Sequence, residues 1–216
     1  MNVVQSQLNN VSILQIVLTI IQSASIIVAS FLAILGVNSW RRETVGKKKL
    51  DLAEKTLALF YEARDNIKFI RNPAGFIGEG STRKKDDKES EEETKILNQA
   101  YVIIERNNKV SARFSELFSL KYHFMAVFGK DNSEYFEDLN KTLNKIFIAN
   151  NMLYGYYLNP RTLRPVSQEN EARFLKGFEE HERIIWDIGD NDEINKKINE
   201  IITGVEKVCE SASRKI

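Results

Sequence analysis

Charged side chains are absent from the first 40 residues of this chain, which contain no Asp, Glu, Lys or Arg. All 31 basic and 30 acidic residues therefore follow Trp40, and the net charge of +1 conceals an uncharged end joined to a highly charged remainder. Domains that bind nucleic acid normally carry a clear basic excess. The balance of charge therefore argues against nucleic acid as the main partner.

Cysteine and histidine are also scarce, with one Cys and two His in 216 residues. A structural zinc site needs several Cys and His ligands, and a di-iron bundle needs two Glu-x-x-His units. Leu120 and Phe178 stand where those units need Glu before His123 and His181. Cys209 offers no disulfide and lies on the apolar face of a terminal helix, so we interpret it as a packing residue. We expect no metal, no cofactor and no catalytic residue.

The uncharged end contains one long apolar run, residues 13–37, in which 15 of 25 residues are Ile, Leu, Val or Phe. As a helix this run spans roughly 37 Å, enough to cross a hydrocarbon core of about 30 Å. A cleaved signal peptide would have a basic start and an apolar core of about 7–15 residues. We therefore predict a signal-anchor transmembrane helix at 13–37, after a short extracytoplasmic N-terminus at 1–12.

Basic residues flank the apolar run on its C-terminal side only, at Arg41, Arg42, Lys47, Lys48 and Lys49. Basic flanks stay in the cytoplasm, so the N-terminus is predicted outside and the remainder of the chain inside. Trp40, Arg41 and Arg42 are predicted to lie at the membrane interface, where basic groups attract anionic lipid headgroups.

One face of the predicted span carries small and amide side chains at spacings of three and four residues. The members of this stripe are Gln15, Thr19, Gln22, Ser25, Ala29, Ala33 and Gly36. Small residues let two helix backbones approach, and amides hydrogen-bond across the contact. The stripe favours association with another copy or with a different membrane protein. The alternative is an anchor that merely tolerates these residues.

The charged remainder has apolar residues at the helical period and no segment of sustained period-two alternation. Ser90 followed by Glu93 matches a capping box, so a helix should begin near residue 91. The predicted helices are 47–71, 91–128, 134–158, 168–187 and 193–210, with breaks at Asn72-Pro73, 129–133, Asn159-Pro160 and 189–192. The fold class is therefore all-α, with one N-terminal transmembrane helix and a cytoplasmic antiparallel bundle of about five helices.

The predicted domain layout follows from these breaks. A basic juxtamembrane segment and long helix occupy 38–71, a Gly-rich loop and charged linker 72–95, a helical bundle 96–210, and a tail 211–216. The charge run at 84–94 is predicted to be solvated and mobile.

The Gly-rich loop supplies a candidate ligand or partner site, formed by Gly78, Glu79, Gly80, Ser81, Thr82 and Arg83. Glycines allow backbone N–H groups to form an anion-binding nest. A P-loop is excluded because it needs Gly-Lys-Ser/Thr between a strand and a helix. The alternative is a structural turn that caps the preceding helix.

Just upstream, Glu62, Arg64 and Asp65 form a candidate polar helix face. Carboxylates on adjacent turns can perform general acid–base chemistry. A surface face of ion pairs is the commoner arrangement.

Several short runs, WRRE at 40–43, GK at 46–47, LALFYEARD at 57–65 and GEGSTR at 78–83, carry a resemblance. The chain resembles a group of uncharacterised bacterial proteins that begin with one membrane span, and the resemblance extends more loosely to Trp186. It implies a bacterial inner-membrane location and a cytoplasmic helical domain, and it brings no activity.

The sequence favours a membrane-anchored helical module for protein–protein interaction or assembly, with lipid and a protein partner or a second copy as its contacts. One alternative is a sensor or effector, in stress or phage defence, whose loop at 75–83 binds an anion or a protein. A second alternative is an enzyme with an acidic site near Glu62 and Asp65.

Overall fold

The computed structural model describes residues 2–158, 168–189 and 191–213. Across those ranges the regular secondary structure is helical, and the predicted all-α fold is confirmed. The helices are α1 Asn2–Ile70, α2 Glu91–Ser119, α3 Lys121–Phe128, a 3₁₀ helix Lys130–Ser133, α4 Glu134–Leu158, α5 Gln168–Ile185 and α6 Glu193–Ser213. The predicted break at Asn159-Pro160 and the end of the predicted tail lie outside the described residues.

The chain divides into two compact units, a first that extends to Lys48 and a second that begins at Lys49. In the first unit, α1 is exposed at every residue from 15 to 43. Its large apolar side chains between Ile16 and Val37 are 48–70% exposed. Within the described part of the chain, one helix is long and apolar enough to cross a membrane, and its apolar window is 0% buried.

In the described residues of the second unit, the last part of α1, α2, α4 and α6 form a bundle of helices that alternate in direction, and α5 packs against α4. Lys55 pairs with Glu116 at 2.9 Å near one end, and the Ile70 carbonyl accepts from Arg106 at 3.4 Å near the other, so α2 runs antiparallel to α1. The Cys209 thiol donates to the Ala53 carbonyl at 3.5 Å, which places the end of α6 beside the start of this unit.

Helix α4 runs antiparallel to both α2 and α6. Asn150 donates to the Ala100 carbonyl at 3.1 Å, whereas Lys121, just after α2, pairs with Glu137 at 3.1 Å. The same alternation relates α4 to α6 through the ion pairs Asp138–Lys197 at 2.8 Å and Lys145–Glu193 at 3.2 Å. The bundle thus has an α3 end, formed by Lys49, α3 and the end of α6, and a loop end, formed by residues 71–89 and the α5–α6 turn.

The structure divides the single helix predicted at 91–128 into α2 and α3, with a break at Leu120. The Leu120 N–H donates to the Leu117 carbonyl at 3.1 Å, a three-residue step that tightens the turn and separates α2 from α3. The break lets Phe124 become fully buried, with its ring centroid 5.6 Å from that of Phe136. Local periodicity did not reveal it because both helices have apolar residues at helical spacing.

The second unit includes segments that the predicted domain layout assigned to separate regions. The helix up to Ile70 and the Gly-rich loop belong to the same compact unit as the bundle. The Ser90–Glu93 capping box is present, with the Glu93 N–H donating to the Ser90 hydroxyl at 3.1 Å, so the helix begins at Glu91 as predicted. Residues 91–95 are therefore helix rather than linker.

Candidate functional site

The Gly-rich loop is held by a buried arginine on α2. Arg106 is 1% exposed and donates to the carbonyls of Ile70 at 3.4 Å, Asn72 at 2.5 Å and Ala74 at 2.9 Å. It also forms a bidentate pair with Glu79, at 3.0 and 2.6 Å. The last carbonyls of a helix have no partner within that helix, so Arg106 caps α1 from outside.

Glu79 is the anionic side of this cap. Its carboxylate also accepts the backbone N–H of Phe76 at 3.0 Å, which closes the loop upon itself. The hydrogen bonds from Arg106 lower the pKa of Glu79 from 4.5 to about 2. Glu79 is therefore ionised and fully engaged within the protein at neutral pH.

Gly80 lies directly against α2. Its N–H donates to Glu105 at 2.7 Å, and the Thr82 hydroxyl donates to the same carboxylate oxygen at 2.9 Å. Its φ is +81°, and a Cβ at this position would lie 1.9 Å from the Asn98 carbonyl oxygen. Glycine is required here both for the left-handed backbone and for the close approach.

Arg83 closes the charged turn that follows. Its guanidinium donates two hydrogen bonds to the Glu89 carboxylate, one of them at 2.8 Å. Both side chains are largely buried, with Arg83 14% and Glu89 11% exposed. The hydrogen bonds from Arg83 lower the pKa of Glu89 to about 2. Glu89 also accepts the Asp86 N–H at 2.9 Å, so the first part of the run at 84–94, predicted to be mobile, forms a closed turn.

The six predicted loop residues are thus divided between the protein interior and solvent. Glu79, Gly80 and Arg83 face inward, whereas Gly78, Ser81 and Thr82 are exposed. Several donors that an anion nest would use are occupied internally, since the N–H groups of Ser81 and Arg83 donate to the Gly78 and Gly80 carbonyls and that of Gly80 donates to Glu105. These contacts are those of a turn that caps α1 and docks on α2.

The sequence analysis did not select two apolar side chains at the tip of the Gly-rich loop. Phe76 is 70% exposed and Ile77 is fully exposed. The signal was available, because an aromatic–aliphatic pair is unusual in a segment otherwise rich in Gly, Pro and polar residues.

A second buried arginine, also missed, joins three helices at the loop end. Arg71 is 0% exposed and pairs with Asp192 at 2.8 and 2.6 Å. It also donates to the carbonyls of Arg183 and Ile184 at the end of α5 and to that of Trp186 just after it, within 2.8–3.0 Å. Because it follows a helix in a charged sequence, nothing in its local pattern distinguishes it from an exposed arginine.

Asp192 in turn caps the start of α6 by accepting the Asn195 N–H at 2.9 Å. Burial by itself would raise the pKa of Asp192, but the hydrogen bonds from Arg71 and from Asn195 hold it below its ordinary value. The Arg71–Asp192 pair therefore stays charged inside the bundle and ties the ends of α1 and α5 to the start of α6.

The candidate polar face on α1 does not form a pocket. Glu62 and Asp65 are 48% and 68% exposed, and each faces a different arginine. Arg113 lies 3.5 Å from Glu62, whereas Arg64 lies 3.1 Å from Asp65. The pairs are those of a solvated helix surface, which offers no enclosed place for general acid–base chemistry.

The cysteine and histidines do not converge either. Cys209 is buried, and burial raises the pKa of its thiol to about 11, so it is a packing residue with an unreactive thiol. His123 is exposed on α3, whereas His181 is half-buried beside the Gly177 carbonyl. Within the described residues, no group of three or more His, Cys, Asp or Glu side chains is placed to hold a metal.

Along the predicted membrane stripe, the hydroxyl groups bond to their own helix. Thr19 donates to the Gln15 carbonyl at 2.9 Å, and Ser25 to that of Ile21 at 2.8 Å. Around Gly36, a Cβ would meet nothing within 4 Å. Trp40, Arg41 and Arg42 are exposed, and the interface role predicted for them stays a prediction.

Comparison with protein-family models, curated proteins and solved structures finds no match for this chain. The resemblance to bacterial single-span proteins therefore stays a prediction.

The Arg106–Glu79 pair predicts a specific pH dependence. Because the pKa of Glu79 is lowered from 4.5 to about 2, its stabilising effect is complete above pH 4.5 and is lost as the pH falls toward 2. We expect Glu79→Gln to lower the free energy of unfolding at pH 7, by an amount that shrinks steadily below pH 4.5. Chemical denaturation of both proteins at several pH values checks this, and a difference independent of pH would contradict it.

Proposed function

We propose that this chain is a membrane-anchored helical module that acts by protein–protein interaction or assembly. In this proposal the apolar part of α1 spans a bacterial inner membrane, the N-terminus is outside, and the bundle is in the cytoplasm. The observation that carries it is the exposure of the apolar part of α1, none of which is buried by another described part of the chain.

Exposure on this scale is unfavourable in water. Burying apolar surface contributes roughly 25 cal/mol per Å², and monomeric soluble proteins rarely expose large contiguous apolar patches. A bilayer covers such a surface, and a helix satisfies its own backbone hydrogen bonds there. The one-sided basic flank at residues 41–49 supports the proposed orientation.

The bundle supports an interaction role rather than catalysis. Its two most deeply buried charged pairs, Arg71–Asp192 and Arg106–Glu79, act as helix caps, whereas Glu62 and Asp65 are exposed and pair with different arginines. Glu79 of the candidate loop is therefore occupied in maintaining the fold, and the candidate acidic residues lie on an open helix surface.

The test is mass spectrometry of what co-purifies with the tagged full-length protein after gentle extraction from its native membranes. In the stripe variant, Ser25, Ala29, Ala33 and Gly36 are all changed to Leu. In the matched control, Ile20, Ile27 and Ile34 on the opposite helix face are changed to Leu. With the wild type and the control variant, we expect to recover a stoichiometric partner or copies of the chain cross-linked to one another. With the stripe variant, we expect roughly tenfold less of that partner, because Leu prevents close helix approach.

Membrane fractionation accompanies this experiment. Recovery of the chain in the soluble fraction would refute the anchor, whereas recovery from membranes without any partner would refute the interaction role. Equal partner recovery from stripe and control variants would place the contact outside the stripe.

A second candidate is a sensor or effector whose loop binds a protein. The exposed Phe76 and Ile77 favour it, because the contacts of Glu79 and Gly80 fix the loop that presents them. The double change Phe76→Ser and Ile77→Ser serves as a further arm of the same experiment. Loss of the partner in this arm alone, with normal membrane recovery, would assign the contact to the loop.

A further inference from the structure

The α3 end of the bundle lies close to the start of the second unit. The Lys49 ammonium is 5.1 Å from the centroid of the Phe128 ring, at the end of α3. Only 11 residues separate Lys49 from Val37, the end of the apolar run. As helix, the step from Val37 to Lys49 covers about 18 Å. The stretch of chain that connects the apolar run to Lys49 is therefore short.

The short helix α3 presents apolar side chains away from the core. It buries Phe124 completely, yet Tyr122 is 75% exposed and Val127 is 37% exposed. His123 and Ala126 are exposed beside them. Tyr122 and Val127 thus lie exposed on one short element, which is a candidate contact surface if its charge also suits a partner.

The charge of this surface is compatible with anionic lipid. Residues 117–130 contain no Asp or Glu, and the stretch ends in the exposed Lys130. Glu137, the acid facing α3 from α4, is neutralised by Lys121 at 3.1 Å. Asp131 remains exposed next to Lys130, but the Lys49 ammonium lies beside α3 at the Phe128 ring and supplies a further positive charge.

A surface that combines a tyrosine, apolar side chains and basic side chains suits the headgroup layer of a membrane. Tyrosine favours the membrane interface because its ring is apolar and its hydroxyl is polar, and basic residues close to an anionic leaflet each contribute about 1 kcal/mol. We propose that the exposed face of α3, with Tyr122, Val127 and Lys130, rests on the anionic headgroups of the leaflet that the chain is anchored in. This inference depends on the proposed membrane anchor.

Site-specific labelling of the full-length protein in lipid vesicles tests it. Single cysteines replace Tyr122 or Val127 at the α3 end, and Ile77 or Ile188 at the loop end, in a Cys209→Ala background. Each carries an environment-sensitive fluorophore, and the vesicles contain headgroup-level spin-labelled lipid with or without phosphatidylglycerol. We expect quenching at 122 and 127 to exceed that at 77 and 188 roughly threefold in anionic vesicles and to fall in purely zwitterionic ones.

The possible outcomes separate this inference from the anchor itself. Equal, solvent-like signals at all four positions in a protein that stays membrane-bound would overturn the lipid contact and leave the anchor standing. A shielded but unquenched signal at 122 and 127 would also overturn it, because a second copy or another protein would then cover α3. Failure of the protein to enter vesicles would remove the anchor.

Discussion

Replacing Arg71 by Met is expected to lower the free energy of unfolding by about 3–5 kcal/mol, the range seen when one partner of a buried ion pair is removed. The change leaves the Asp192 carboxylate, in a residue that is 1% exposed, without its cation. It also removes the donor that caps the last carbonyls of α5. Met conserves much of the apolar stem, so the loss reports on the guanidinium rather than on a cavity.

Denaturant unfolding in detergent micelles checks this, with Trp186 as a local reporter because its carbonyl accepts from Arg71 at 2.9 Å. The matched control is Lys145→Met, which breaks the exposed pair with Glu193 at 3.2 Å. An exposed pair contributes about 0–1 kcal/mol. Equal effects of the two changes would contradict the structural role assigned to Arg71.

Replacing Gly80 by Ala is expected to cost about 2–4 kcal/mol and to release the loop from α2, because it combines backbone strain with a steric clash. The φ of +81° disfavours any side chain, and the new methyl would meet the Asn98 carbonyl at 1.9 Å. That oxygen belongs to the backbone of α2, so it moves only if the helix moves. Rotation of a side chain therefore cannot relieve the contact.

Gly78→Ala is the matched control for this prediction. Gly78 has a similar φ of +87°, but the nearest atom to its added methyl is the Ser81 hydroxyl at 4.0 Å. It therefore bears the backbone strain alone, about 1 kcal/mol. Limited trypsin digestion at Lys84 and Lys85, together with denaturant unfolding, separates the two variants. A similar loss for both would show that the loop does not press on α2 as the structure has it.

Several elements were predictable because their causes are local. The capping box at Ser90 depends on two residues three positions apart, and it sets the start of α2 as predicted. Gly129 and the turn after it likewise end α3 near the expected position. The break at Leu120 was not predictable, because no Pro or Gly marks it and only the packing of Phe124 against α4 requires it.

The candidate site likewise combines features that local sequence predicts with features that depend on packing. The loop at 72–83 could be identified from its glycines and proline, but its internal use of donors could not. Glu79 and Arg106 are 27 positions apart, and Arg71 and Asp192 are 121 apart. Such pairs are invisible to any argument from spacing, because what joins them is the antiparallel course of the helices.

The amino-acid sequence by itself determined the uncharged apolar segment, the helical class of the chain and most helix boundaries. These depend on composition, short-range periodicity and residues within one helical turn of each other. Only the tertiary structure decided that two arginines are buried caps, that Glu62 and Asp65 pair with different arginines on an exposed surface, and that Phe76, Ile77 and Tyr122 are left uncovered. The physical reason is that burial and hydrogen-bond satisfaction are settled by neighbours from distant segments, which exist only once the helices have packed.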